Sequence, residues 1–156
     1  MQSRAIALVA FATAAGTSSR QFRAKLRDHV QVLGLRQDVL LLLHGLDLLA
    51  QPSLWESFPI SMLEGMAIGV PIVASDVDGV RECIEHNRSG HLIPAKKPEE
   101  LSNAIIKLAN APELCARLVA EGKKVVQFQF APESQTSKIE AVLRSVCGSQ
   151  AKRQAA

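Results

Sequence analysis

Glu56 and Glu64 stand eight positions apart in "PSLWESFPISMLEGMAIGVPIVASDVDGV", residues 52–80. The first falls in a loop containing Ser, Phe and Pro, the second in a stretch that reads as helix. A carboxylate is a poor neighbour for phosphate but a good acceptor for vicinal hydroxyls, such as those of a ribose. Between the two carboxylates a helix begins at Pro59. A helix N-terminus carries unpaired backbone N–H groups and a partial positive charge, which suit an anion such as phosphate. Phe58, Ile60 and Ser61 can supply N–H groups there, and Pro59 cannot. Each glutamate taken alone also fits a solvated surface residue.

The surrounding elements decide where these groups meet. Residues 5–11 read as a short buried strand and 18–28 as a helix with Ser18 or Ser19 to cap it. "HVQVLG" (29–34) is expected as a strand, "DVLLLLHG" (38–45) as a short helix capped by Asp38 and stopped by Gly45, and "DLLAQP" (47–52) as a strand. Helix 59–69 carries Gly65, which costs about 1 kcal/mol against Ala and points to close packing. Then come strand 71–75, short helix 79–86, strand 90–94 and helix 97–110, which opens with Pro98 and two acidic residues. Two further helices are expected near 112–124 and 132–147, with a frayed, disordered tail over 148–156.

Strands alternating with helices, and apolar on both faces, predict an α/β protein with a parallel sheet covered on both sides. Ligands of such sheets bind beyond the carboxyl ends of the strands. The loop "SLWESF" follows the strand that stops at Pro52, so Glu56 is expected at that edge, beside a helix N-terminus. Glu64, one and a half turns into the helix, could face the same crevice.

Bulk properties exclude several classes. At 156 residues the chain can bury a real core, and 47% apolar content argues against disorder. A net charge of +3 and few aromatic residues give no footprint for nucleic acid. Cys83, Cys115 and Cys147 form no CxxC pair; they read as small buried thiols in a reduced, cytoplasmic setting rather than as zinc ligands with His86. "MQSRAIALVAFATAAG" is open to two readings, a secretory signal or a buried strand ending in a turn. No apolar run is long enough to span a bilayer. GxGxxG and the P-loop pattern are absent.

From "LGLRQDVLLLL" through "KKPEELSNAI", over roughly residues 33–110, the chain closely resembles the donor-binding domain of group-1 glycosyltransferases of the GT-B fold. The resemblance rests on an E-x7-E pattern made by Glu56 and Glu64 with Ser57, Phe58 and Pro59 between them. "LDLLAQPS" precedes it, and "GVPIVASDVDGV" and "SGHLIPAKKPEEL" follow. It implies a single Rossmann-like domain, half of a GT-B fold, and retaining transfer from a nucleotide-sugar donor without a metal or cofactor. Glu56 would contact hydroxyls of the donor sugar as the catalytic carboxylate, and Glu64 the ribose. Backbone N–H groups around Ser57, Phe58, Pro59 and Ile60 would hold the diphosphate.

Departures from that family shape the expectation further. Residues 1–32 form a divergent strand and helix, 33–147 the donor-binding domain. The acceptor domain is missing, and nothing before Gly34 matches the glycine-rich strand end whose Arg and Lys serve the diphosphate; Arg20, Arg23 and Lys25 lie in a helix-like stretch. Asp78 and Arg81 replace a commoner glycine and proline, and Lys96 and Lys97 read as a solvated turn. A fragment or split portion is expected, completed by a partner chain, acting on an acceptor that is lipid-linked or at a membrane surface. The other readings are a non-catalytic nucleotide-sugar module and an inactive gene fragment.

Overall fold

The computed structural model describes residues 8–10, 29, 31, 33, 34 and 36–154. Four parallel strands pair in chain order: β1 (Leu8–Ala10), β2 (Leu48–Gln51), β3 (Ile72–Ser75) and β4 (His91–Ile93). Between and after them run α1 (Val39–His44), α2 (Ile60–Ile68), α3 (Asp78–Arg81), α4 (Pro98–Ala109), α5 (Pro112–Gln129) and α6 (Pro132–Gln154). The expected α/β sheet with helices on both faces is therefore present.

Alternation along the strands builds two cores. Leu49, Ile72 and Ala74 point to one face, where Leu43, Met62, Met66 and Val80 cover them. Leu48, Ala50, Val73 and Ile93 point to the other, against Ala104 and Leu108 of α4 and Leu118 of α5. All eight residues of β2 and β3 are buried, as a parallel sheet covered on both sides requires. Gly65 lets α2 lie close on β2: a Cβ there would stand 3.0 Å from the Leu49 side chain. Gly69 ends α2 in the left-handed region at φ +103°, its N–H donating to the Gly65 carbonyl at 2.9 Å.

Several expectations are corrected. The described residues of the stretch 29–34 are not in a strand: His29 lies in a turn, and Gln31, Leu33 and Gly34 are outside any strand, while Val30 and Val32 lie outside the described residues. Gly34 sits at φ 70°, in the left-handed region that a strand does not use. Asp38 stands at the N-cap of α1, but its carboxylate accepts from Arg36 Nε at 2.7 Å instead of capping an amide. Pro59 takes the N-cap of α2 rather than its first turn. α3 ends at Arg81; residues 82–83 form a turn, and His86 then bridges to Gly90 with Asn87 at φ 60° on the way into β4. α5 runs on to Gln129, since Val125 and Val126 continue its stripe against the core. α6 continues past 147 to Gln154, with no proline to stop it where the tail was expected to fray. Cys83 is buried and Cys115 half-buried, whereas Cys147 is exposed. The expected helix 18–28 lies outside the described residues. No described helix is long and apolar enough to cross a membrane.

Candidate functional site at the carboxyl edge of the sheet

The loop 52–59 leaves β2 at its carboxyl end and delivers the chain into α2. Pro52 ends the strand because it has no N–H to donate to the ladder. Glu56 is half-buried in this loop. Its carboxylate is held at one oxygen: Gln51 Nε2 donates to Oε2 at 2.9 Å, and Ser53 Oγ donates to the same atom at 3.4 Å. Gln51 is the last residue of β2 and only 4% exposed; its Oε1 accepts from Ser61 Oγ at 3.2 Å. One buried amide thus joins Glu56 to the first turn of α2.

The loop backbone is fixed from the neighbouring strand connection. After β3, Gly79 donates its N–H to the Glu56 carbonyl at 3.1 Å. A Cβ on Gly79 would lie 2.4 Å from that oxygen and 2.2 Å from the Ser57 carbonyl oxygen. Only glycine permits this approach. From the other side, Phe58 packs on Phe130 at the end of α5, with ring centroids 5.6 Å apart.

In the first turn of α2, the Pro59 carbonyl accepts from Met62 N–H at 3.0 Å. The N–H groups of Ile60 and Ser61 have no acceptor among the described residues, as the start of a helix dictates. Ser57 and Ile60 are exposed, Phe58 is 39% exposed and Pro59 is buried. Glu64 is half-buried on the next turn, and its side chain has no hydrogen bond or ion pair with another described residue. Trp55, beside Glu56, is 79% exposed.

Arg81, two residues beyond Gly79, is already paired. Arg81 Nε donates to Asp76 Oδ1 at 2.6 Å, and this guanidinium holds the Asp76 carboxyl below its usual range. Arg81 also lies 3.6 Å from Asp78. Lys96 and Lys97 are exposed, and Lys96 adopts φ 61°. His86 accepts the Leu92 N–H at Nδ1, 3.0 Å away, and its ring lies against His91. A shallow concavity lined by Asn110, Pro112, Glu113 and Arg117 lies at the junction of α4 and α5, on different elements from the 52–59 loop.

Sequence reasoning found Glu56, Glu64 and the helix start but missed Gln51, Ser53, Gly79 and Phe130, and used Ser61 only for its backbone. A glutamine ending an otherwise apolar strand was a readable signal for Gln51. Nothing local marks Phe130, which reaches the loop only through the packing of α5.

A parallel sheet covered by helices, with a loop and helix start at its carboxyl edge, defines a Rossmann-like α/β domain. Residues 19–125 match the model of the family described as glycosyl transferases group 1, and the chain belongs to that family. It is 34% identical over 103 residues to phosphatidyl-myo-inositol mannosyltransferase of Mycobacterium leprae, covering 64% of this chain and 28% of that protein. It is 26% identical over 108 residues to an Escherichia coli UDP-Gal:alpha-D-GlcNAc-diphosphoundecaprenol alpha-1,3-galactosyltransferase, covering 65% and 28%. The chain thus spans less than a third of the length of these relatives. Among solved structures it is similar to Anabaena Alr3699/HepE in complex with UDP, with a TM-score of 0.75, 27% identity, and coverage of 81% of this chain and 35% of that one.

Proposed function

We propose that the 52–64 region binds a nucleotide sugar and that the chain is the donor half of a retaining, metal-independent glycosyltransferase. The observation that carries this reading is the junction of Glu56 with the open start of α2. Glu56 is held at Oε2 alone, while Oε1 accepts no hydrogen bond from a described residue and remains for a sugar hydroxyl. The Ile60 and Ser61 N–H groups stand at the helix start, where a diphosphate would sit. Glu64 would take the ribose hydroxyls. The E-x7-E pattern and the UDP bound by the Anabaena protein support the same assignment.

The chemistry required is mostly electrostatic. Departure of a nucleoside diphosphate develops negative charge on its oxygens. The α2 dipole and its free N–H groups stabilise that charge without a proton or a metal. Glu56 orients the sugar whose anomeric bond breaks. An acceptor domain, in a partner chain or a further segment, would supply the second wall of the cleft; a lipid-linked acceptor is the class named for the Escherichia coli relative.

Trp55 gives a direct test. It is the only tryptophan, the chain has no tyrosine, and it adjoins Glu56, so intrinsic fluorescence reports on this loop. Titration with UDP and with UDP-glucose should change Trp55 emission saturably. The isolated chain should transfer sugar slowly or not at all, because positioning of the acceptor supplies a large part of such catalysis. No saturable response to a panel of nucleotide sugars would defeat the reading.

A further inference from the structure

We propose that Gln51 is the positioning residue for Glu56: its buried amide fixes the carboxylate and couples it, through Ser61, to the first turn of α2. The proposal rests on the nucleotide-sugar reading for its consequences and on geometry for its origin. Gln51 closes β2 on the face that carries Leu49 and is only 4% exposed. A buried amide in such a place is costly unless both of its ends are satisfied. Both are: Nε2 by Glu56 and Oε1 by Ser61.

The polarity of this chain of bonds is forced. An ionised carboxylate only accepts, so the NH₂ end of Gln51 must face Glu56. That leaves the amide oxygen for Ser61, whose hydroxyl must then donate. Turning the amide over would set its oxygen against a carboxylate oxygen and its NH₂ against a hydroxyl that had been donating. Glu56 therefore determines the orientation of Gln51, and Gln51 determines that of the Ser61 hydroxyl. Because Gln51 and Ser53 both bind Oε2, turning the carboxylate would break two hydrogen bonds, while Oε1 takes part in neither. Ser61 also carries one of the two open N–H groups of α2, so the sugar carboxylate and the phosphate-facing helix start share a single side-chain link.

Two measurements on the full chain test this. In the unliganded protein, the Gln51 side-chain NH₂ pair, assigned by its loss in Gln51→Leu, should shift in Glu56→Ala and in Ser61→Ala. In Trp55 titrations, Gln51→Leu should weaken UDP-glucose by about tenfold and leave UDP within about twofold. The double variant Gln51→Leu with Glu56→Ala should bind UDP-glucose no more weakly than Glu56→Ala alone. Gln51→Met keeps a side chain of similar length but offers Glu56 no donor, and should weaken UDP-glucose as much as Gln51→Leu. It also serves if the leucine variant folds poorly. Additive losses, an equal loss for UDP, or normal binding by Gln51→Met would overturn the proposal. Failure of the unaltered chain to bind either ligand would remove the nucleotide-sugar reading instead. The amide spectrum would then still decide Gln51, and a pair unmoved by Glu56→Ala would overturn the link.

Discussion

Gly79 donates its backbone N–H to the carbonyl oxygen of Glu56 at 3.1 Å, so the β3–α3 connection holds the loop that carries the carboxylate. No side chain fits at this contact, because a Cβ would meet the Ser57 and Glu56 carbonyl oxygens at 2.2 and 2.4 Å. Gly79→Ala should therefore push the 52–59 loop outward. Overpacking of this kind costs about 1–3 kcal/mol. Thermal unfolding should show that loss, and Trp55 emission should change in the unliganded protein, because its loop has moved. An alanine variant with normal stability and normal emission would mean the loop is not held from Gly79.

The two glutamates should separate nucleotide from sugar. Glu64→Ala should weaken UDP and UDP-glucose alike, by about ten- to a hundredfold, the value of a charged hydrogen bond of about 1.5–3 kcal/mol. Glu56→Ala should leave UDP nearly unchanged and weaken UDP-glucose. Calorimetric titration of both variants with both ligands decides between these roles. Equal losses across all four titrations would mean that the two carboxylates do not divide the donor between them.

The three thiols should react in order of exposure. Burial pushes the Cys83 thiol up to about 11, and burial also raises that of Cys115, whose Sγ donates to the Leu108 carbonyl at 3.2 Å. Cys147 is exposed on α6. At about pH 8 an alkylating reagent should label Cys147 first, Cys115 slowly, and Cys83 only on unfolding. Mass spectrometry of timed digests reads this order; early modification of Cys83 would contradict the packing of α3 on the sheet.

Stability should decline on mild acidification. His91 is 8% exposed on β4, and burial, then Lys107, then His86 hold its pKa below the ordinary imidazole value of 6.5. The unfolded chain therefore binds this proton at a pH where the folded protein does not. The stability present above pH 6.5 is lost as pH falls through the lowered folded value. The thermal midpoint of His91→Gln should fall less than that of the unaltered chain between about pH 7.5 and about pH 5. Parallel curves would show that another group controls the decline.

Much of the architecture was legible before any coordinates. Apolar runs at 47–52 and 71–75, closed by Pro52 and followed by helical stretches, specify buried parallel strands, and β2 and β3 lie within them. Pro98 and the acidic pair after it mark the start of α4. Failures came where local propensity met a competing partner. Val30 and Val32 favoured a strand at 29–34, but His29 lies in a turn and Gly34 takes a left-handed φ of 70°. Asp38 looked like a cap, but Arg36 is a stronger partner for a carboxylate than a neutral amide is.

The sequence by itself determined that Glu56 would lie in a loop at the carboxyl edge of a strand and that Glu64 would follow on the next helix. The types of these elements and their succession along the chain are written in local apolar pattern and in proline and glycine, which act over a few residues. Only the tertiary structure decided how Glu56 is held. Gln51 lies 5 positions from Glu56 and Gly79 lies 23, Phe130 lies 72 from Phe58, and nothing in local pattern ties Gly79 or Phe130 to the loop. Their partnership arises because a parallel sheet brings the ends of successive strands side by side. There a buried amide must find two partners and a glycine must yield its volume to a neighbouring carbonyl.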